Sequence, residues 1–125
     1  LCKDEGIGVI PWSPLARGRL ARDWDTASER SQSDNFGRTL YARTADADRK
    51  VADALATVAA RVGRPRAQVA LAWVLAKPEV TAPIVGATRL EQLDDAVAAL
   101  TLTLSREDIA ELEAPYVPHP VLGHD

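Results

Sequence analysis

"VTAPIVGATRLEQLDDAVAAL" occupies residues 80–100, and its reading decides the fold. The first half is β-branched and apolar and closes on Gly86, as a short strand does. Then the period changes: Leu90, Leu93, Val97 and Leu100 fall on one helical face. At the junction Thr88 and Glu91 have the Thr-x-x-Glu spacing of a capping box. A strand that runs directly into a capped helix is half of an α/β unit.

The same pattern recurs upstream. "GIGVIPW" (6–12) predicts a strand of about four or five residues that ends near Pro11, which cannot donate to a ladder. Residues 21–44 are polar and aperiodic and read as a long loop, a length that in a compact domain goes with function or mobility. From Asp46 onward Val51, Leu55, Val58 and Val62 recur at helical spacing, and Gly63 supplies a stop. "RPRAQVALAWVLAK" (64–77) predicts a second helix with Pro65 in its first turn and Pro78 as its end. That helix is apolar nearly all round, so it should be buried on several sides. A last helix, "SREDIAELEA" (105–114), is capped by Ser105 and stopped at Pro115. The order of strand, loop, two helices, strand and two helices means parallel strands and an α/β architecture. Two parallel strands need further strands and cover on both faces, so the pattern implies sheet neighbours outside these residues.

Composition narrows the class without naming a function. The chain has 125 residues, 46% hydrophobic and 26% charged, with a net charge of −3. That is an ordinary globular composition with no overall basic field for nucleic acid or an anionic membrane. No apolar run approaches the length of a membrane span. The single cysteine, Cys2, excludes an internal disulfide framework and fits a reducing cytoplasm. "LCKDEG" has none of the parts of a secretory signal, and the absence of methionine reads as a chain that begins inside something longer.

Two strand ends carry the candidate chemistry. Gly86, Ala87, Thr88 and Arg89 lead into a helix N-terminus, which favours anions through its unpaired N–H groups and dipole. A guanidinium there can take a phosphate bidentately. Read locally, the plainer account comes first: Thr88 is only a cap and Arg89 a solvated first-turn residue, because capping boxes are common. "WSPLARG" places Trp12, Ser13, Pro14, Leu15, Ala16, Arg17 and Gly18 just past the other strand. It offers backbone amides and positive charge, although a turn with exposed arginines would read the same way. Ligands of parallel α/β folds bind at that edge of the sheet, and barrel phosphate sites form after the last two strands.

"GIGVIPWSPLARGRL", "RAQVALAWVLAKPEVTAPIVGATRLEQLDDAVAAL" and "LSREDIAELE" resemble, in order and spacing, the C-terminal part of an aldo-keto reductase. The nearest branch holds potassium-channel β-subunit-like and aryl-alcohol-dehydrogenase-like members. The resemblance implies strands 7 and 8 of a (β/α)8 TIM barrel with their helices, over residues 1–125. It also implies NADP(H) as cofactor and a small-molecule aldehyde or ketone as substrate. Trp12 would stack on the nicotinamide; Ser13, Leu15, Ala16 and Arg17 would line the diphosphate, Gly18 would allow its close passage, and Pro14 belongs to the same cofactor-binding block. Arg22 and Arg30 fall in the loop that folds over the cofactor, where the usual lysine is Asp23 here. Gly86, Ala87, Thr88 and Arg89 match the seat of the 2′-phosphate, and Gln92 and Asp95 match positions near the adenosine. Ala96 stands where the family often has an adenine-binding asparagine.

The family's catalytic Asp, Tyr, Lys and His come from earlier strands, and none is placed in this chain. Tyr41, Tyr116, Lys3, Lys50 and Lys77 stand at no matching position, and His119 and His124 lie in the Pro-rich tail without metal-ligand spacing. The expected partner is therefore an N-terminal barrel half carrying that set, with no nucleic acid and no membrane. The alternative is a non-catalytic fragment, or a nucleotide-binding or subunit-interaction module without turnover.

Overall fold

Helix α1 (Ala45–Val62) is the platform of the domain in a computed structural model that describes residues 1–26, 40, 41 and 43–119. Ala52, Leu55, Val58 and Ala59 form its buried stripe, repeating at the three- and four-residue steps of a helix. The expected stop holds. Gly63 adopts φ 69°, a left-handed conformation that glycine enters without a Cβ penalty, and its N–H reaches the Ala59 carbonyl.

Helix α2 (Arg66–Leu75) follows at once, with Pro65 as its N-cap, just outside the first turn rather than within it. Its Val69, Ala70, Leu71 and Ala72 are buried, as an all-round apolar helix requires, and Gln68 is buried with them. Gln68 is satisfied by donating from Nε2 to an Asp95 carboxylate oxygen at 2.8 Å, which ties α2 to α3 (Leu90–Ala98). A 3-10 turn (Ala99–Thr101) then leads toward α4 (Arg106–Glu113). Leu55, Val58, Val69, Leu104 and Leu112 meet in one core, with Val58 and Val69 wholly enclosed.

Helix α4 begins as its sequence predicts. The Ser105 hydroxyl accepts from the Asp108 N–H at 3.1 Å, and the Ser105 N–H donates to Asp108 Oδ2 at 3.0 Å. Arg61, in the last turn of α1, binds Asp108 Oδ1 through Nη2 at 2.7 Å and Glu111 through Nη1 at 2.7 Å. These charge-assisted bonds lock the end of α1 to the start of α4. The Ser105 hydroxyl and then Arg61 hold the Asp108 carboxyl down to about 2.

The expected β-structure is corrected. Among the described residues there is no regular strand; two isolated parallel bridges, Val9 with Val80 and Trp12 with Ile84, stand where strands 7 and 8 were expected. Pro11 and Pro83 lack N–H groups, and among the described residues no third segment pairs on either side, so the ladder does not extend. The parallel order of the two segments survives.

The apolar face predicted for α3 faces outward: Leu90 is 69% exposed and Leu100, in the following 3-10 turn, 67%, with Leu93 and Val97 also exposed. The helix packs through its Asp95 side instead. The Thr88–Glu91 box does not form, because Arg89 is the N-cap and the helix starts one residue later than that box needs. No described helix is long and apolar enough to cross a membrane.

A carboxylate held low stabilises the fold fully above its ordinary value and loses that contribution as pH falls toward the lowered one. For Asp108 that window runs from 3.8 down to about 2. Asp108→Asn should therefore cost about 1 kcal/mol at neutral pH, the typical weight of a capping interaction. Denaturant titrations should show the two proteins converging as pH falls through the window. A constant difference across it would refute this account of Asp108.

Candidate functional site

The two polar segments leave the paired region side by side. Trp12 bridges Ile84 in parallel, so Ser13–Gly18 and Gly86–Arg89 depart in the same direction. The structure thus brings both predicted blocks to one end of the same short pairing.

Residues 13–18 form a tight, strained loop. Ser13, Ala16 and Arg17 have φ of 53°, 48° and 58°, and Gly18 has φ 90°. Each non-glycine residue held there costs roughly 1–3 kcal/mol, sustained only if its surroundings over-determine it. They do so here. Leu15 and Leu20 pack against the core, and the loop is stitched by Ala16 N–H to Ser13 C=O at 2.9 Å and Gly18 N–H to Leu15 C=O at 2.9 Å. The N–H groups of Arg19, Leu20 and Ala21 also turn back on loop carbonyls. The expectation that this loop offers its amides to an anion is thereby narrowed, since those of 16 and 18–21 are spent within the loop.

What the loop presents is guanidinium. Arg22 lies directly over Gly18, with Nη1 only 3.2 Å from where a Cβ would stand. Gly18 is needed twice over, for its positive φ and for this close approach. Trp12, at the start of the segment, is 67% exposed. Pro14 lines a different space, an apolar cavity of about 650 Å³ walled also by Leu20, Val51, Leu55 and Trp73. At its edge Glu113 accepts from the Trp73 indole N–H at 3.0 Å and pairs with Lys77. The lysine first, and then the indole, hold the Glu113 carboxyl below its ordinary value.

The second block is exposed throughout from Gly86 to Gln92. The Thr88 N–H and hydroxyl both donate to Gln92 Oε1, at 2.8 and 3.3 Å, so a single carboxamide oxygen collects two donors. Arg89 is extended at the N-cap and gives no side-chain cap. Asp95 is engaged by Gln68 on α2. Arg30 and His124 lie outside the described residues. Among the described residues no cluster of His, Cys, Asp or Glu could hold a metal ion.

Sequence reasoning missed the fastenings of residues 19–26. The Arg19 guanidinium sits over Trp24 at 5.1 Å and Tyr41 at 4.5 Å. Asp25 takes the fork of Arg49 at 2.7 and 3.2 Å, and Asp23 pairs with Arg66. The partners lie 24 and 43 residues apart in sequence, where no periodicity connects them.

Comparison with known proteins gives a consistent result. A family profile described as the aldo/keto reductase family matches residues 1–116. Versiconal hemiacetal acetate reductase of Aspergillus parasiticus is 39% identical over 96% of this chain and 35% of its own length. A Schizosaccharomyces pombe protein that carries an aryl-alcohol dehydrogenase name is 40% identical over 98% of the chain and 37% of its own. An aldo-keto reductase of Fusarium vanettenii is 37% identical over 98% and 33%. The chain spans about a third of the length of these relatives.

Gly18→Ala should strain the loop and push Arg22 aside, lowering stability by about 1–2 kcal/mol. Thermal unfolding of the variant checks this; an unchanged midpoint would contradict the geometry.

Proposed function

Because the chain belongs to the aldo/keto reductase family, we infer that it forms the C-terminal, NADP-binding part of a (β/α)8-barrel oxidoreductase. Its reaction is reduction of an aldehyde or ketone. The observation that carries this reading is the parallel bridge between Trp12 and Ile84, which starts both cationic segments at one end of the pairing. On or next to those two segments the sequence carries an exposed indole at Trp12, guanidiniums at Arg17, Arg22 and Arg89, and the Thr88 hydroxyl. That donor set suits an aromatic ring carried on a polyphosphate.

The bound nicotinamide supplies the hydride; the chain's residues bind and orient it. Trp12 gives a face for the ring, and the loop from Ser13 to Gly18 runs along the diphosphate with Arg22 above it. Thr88 and Arg89 seat the 2′-phosphate. In this reading an anionic oxygen replaces Gln92 Oε1 as acceptor for the two Thr88 donors, releasing Gln92 toward the adenosine, near Asp95.

The exposed apolar residues belong to the same proposal. Ile7, Ile10, Ile84 and Val85 on the paired segments are exposed, as is the outer face of α3, and exposed apolar residues in such number suit a surface that a further part of the protein covers. An N-terminal barrel half, which in this family carries the catalytic set, would cover it. Produced alone, the 125-residue chain should self-associate and bind hydrophobic dyes. A monodisperse monomer with a sharp cooperative melt would argue against the missing half.

Arg89→Ala in the native-length protein should weaken NADPH binding at least about tenfold, the weight of a charge-assisted hydrogen bond, and leave NADH nearly unaffected. Tryptophan fluorescence titration with each nucleotide reads this out. Equal losses for the two would eliminate the 2′-phosphate assignment.

A further inference from the structure

Resting on the nucleotide reading above, the loop presents an electrostatic problem. Arg22, the guanidinium over Gly18, is followed directly by Asp23, and Asp25 lies two residues further on. A carboxylate at that distance repels a diphosphate and offers Arg22 an intramolecular partner in place of the nucleotide. The structure directs both carboxylates elsewhere. Asp23 pairs with Arg66, and Asp25 receives the two-pronged fork of Arg49.

Arg66 is an unexpected residue for its place. It opens α2, where the helix dipole disfavours a cation and no acidic residue stands in the first turn. Helix stability does not call for arginine there. Nor does the ion pair add much to folding, since the Asp23 side chain is 75% exposed and such pairs are weak in water.

We propose that Arg66 is a positioning residue for the nucleotide site: by holding the Asp23 carboxylate against α2, it keeps the Arg22 guanidinium for the diphosphate. Arg49 performs the same service for Asp25 from α1. Arg66 acts only through Asp23 and touches no part of the nucleotide.

The test is a set of NADPH dissociation constants for the native-length protein and three variants, with thermal midpoints measured alongside. Arg66→Ala should raise the constant about fivefold at low ionic strength and less at high salt, because a freed carboxylate is screened. Asp23→Asn should bind at least as well as the unmodified protein. The double variant Asp23→Asn/Arg66→Ala should return to the unmodified constant. A double variant as weak as Arg66→Ala shows a merely structural arginine and overturns the proposal, as does an Arg66→Ala protein that binds normally. Failure of the unmodified protein to bind NADPH is a separate result, which removes the nucleotide reading itself.

Discussion

Two backbone hydrogen bonds set the arrangement of the two candidate segments in this chain. The Thr81 N–H donates to the Val9 carbonyl and the Ile84 N–H to the Pro11 carbonyl, each at 2.8 Å. They join segments about 70 residues apart in sequence and set them parallel, so that whatever follows Trp12 lies beside whatever follows Ile84. The pairing is short because its own residues limit it. Pro11 and Pro83 contribute no donors, and the Val9 N–H is taken by the Thr81 hydroxyl at 3.1 Å rather than by a carbonyl. Gly8 makes that last contact possible, since a Cβ there would stand 3.0 Å from the Thr81 oxygen.

From this pairing the strain in the first loop gains a meaning. A loop that must reverse within a few residues, bring Leu15 and Leu20 back to the core and still aim a guanidinium across its own backbone has few conformations left. Ser13, Ala16 and Arg17 accept positive φ as the consequence. The helical core supplies the energy that sustains them. Arg61 with Asp108 fixes α1 to α4 through a carboxylate that is largely buried and also caps α4, whereas the carboxylates of Asp23 and Asp25 are exposed and their pairs weak. The two kinds of arginine pair therefore differ in weight, one holding helices together and the other adding little to folding.

The sequence was legible where a feature was local or periodic. The stripe of α1, the Gly63 stop, the Ser105–Asp108 cap and the burial of α2 all follow from spacing within a few turns. The apolar face of α3 was legible as a face but not as to its partner, because periodicity says which residues share a side and nothing of what covers them. The Thr88–Glu91 box failed for a subtler reason. Once Arg89 extends as N-cap, the third helical position is Gln92, and that side chain captures Thr88. The strands were legible in position and direction but not in regularity, since a ladder depends on neighbours as well as on β-branched residues.

The fastenings of residues 19–26 show why the site could be read only in part. Asp23 in place of the usual lysine looks, in sequence, like the loss of a cation from an anion site. In the folded chain Arg66 answers it from 43 residues away. The charge that this candidate loop presents is thus set by pairs as well as by its own composition, since the carboxylate next to Arg22 in sequence is held by Arg66. A substitution that reads as damaging within one segment can be neutral in the structure that contains its partner, and the partner then carries the constraint.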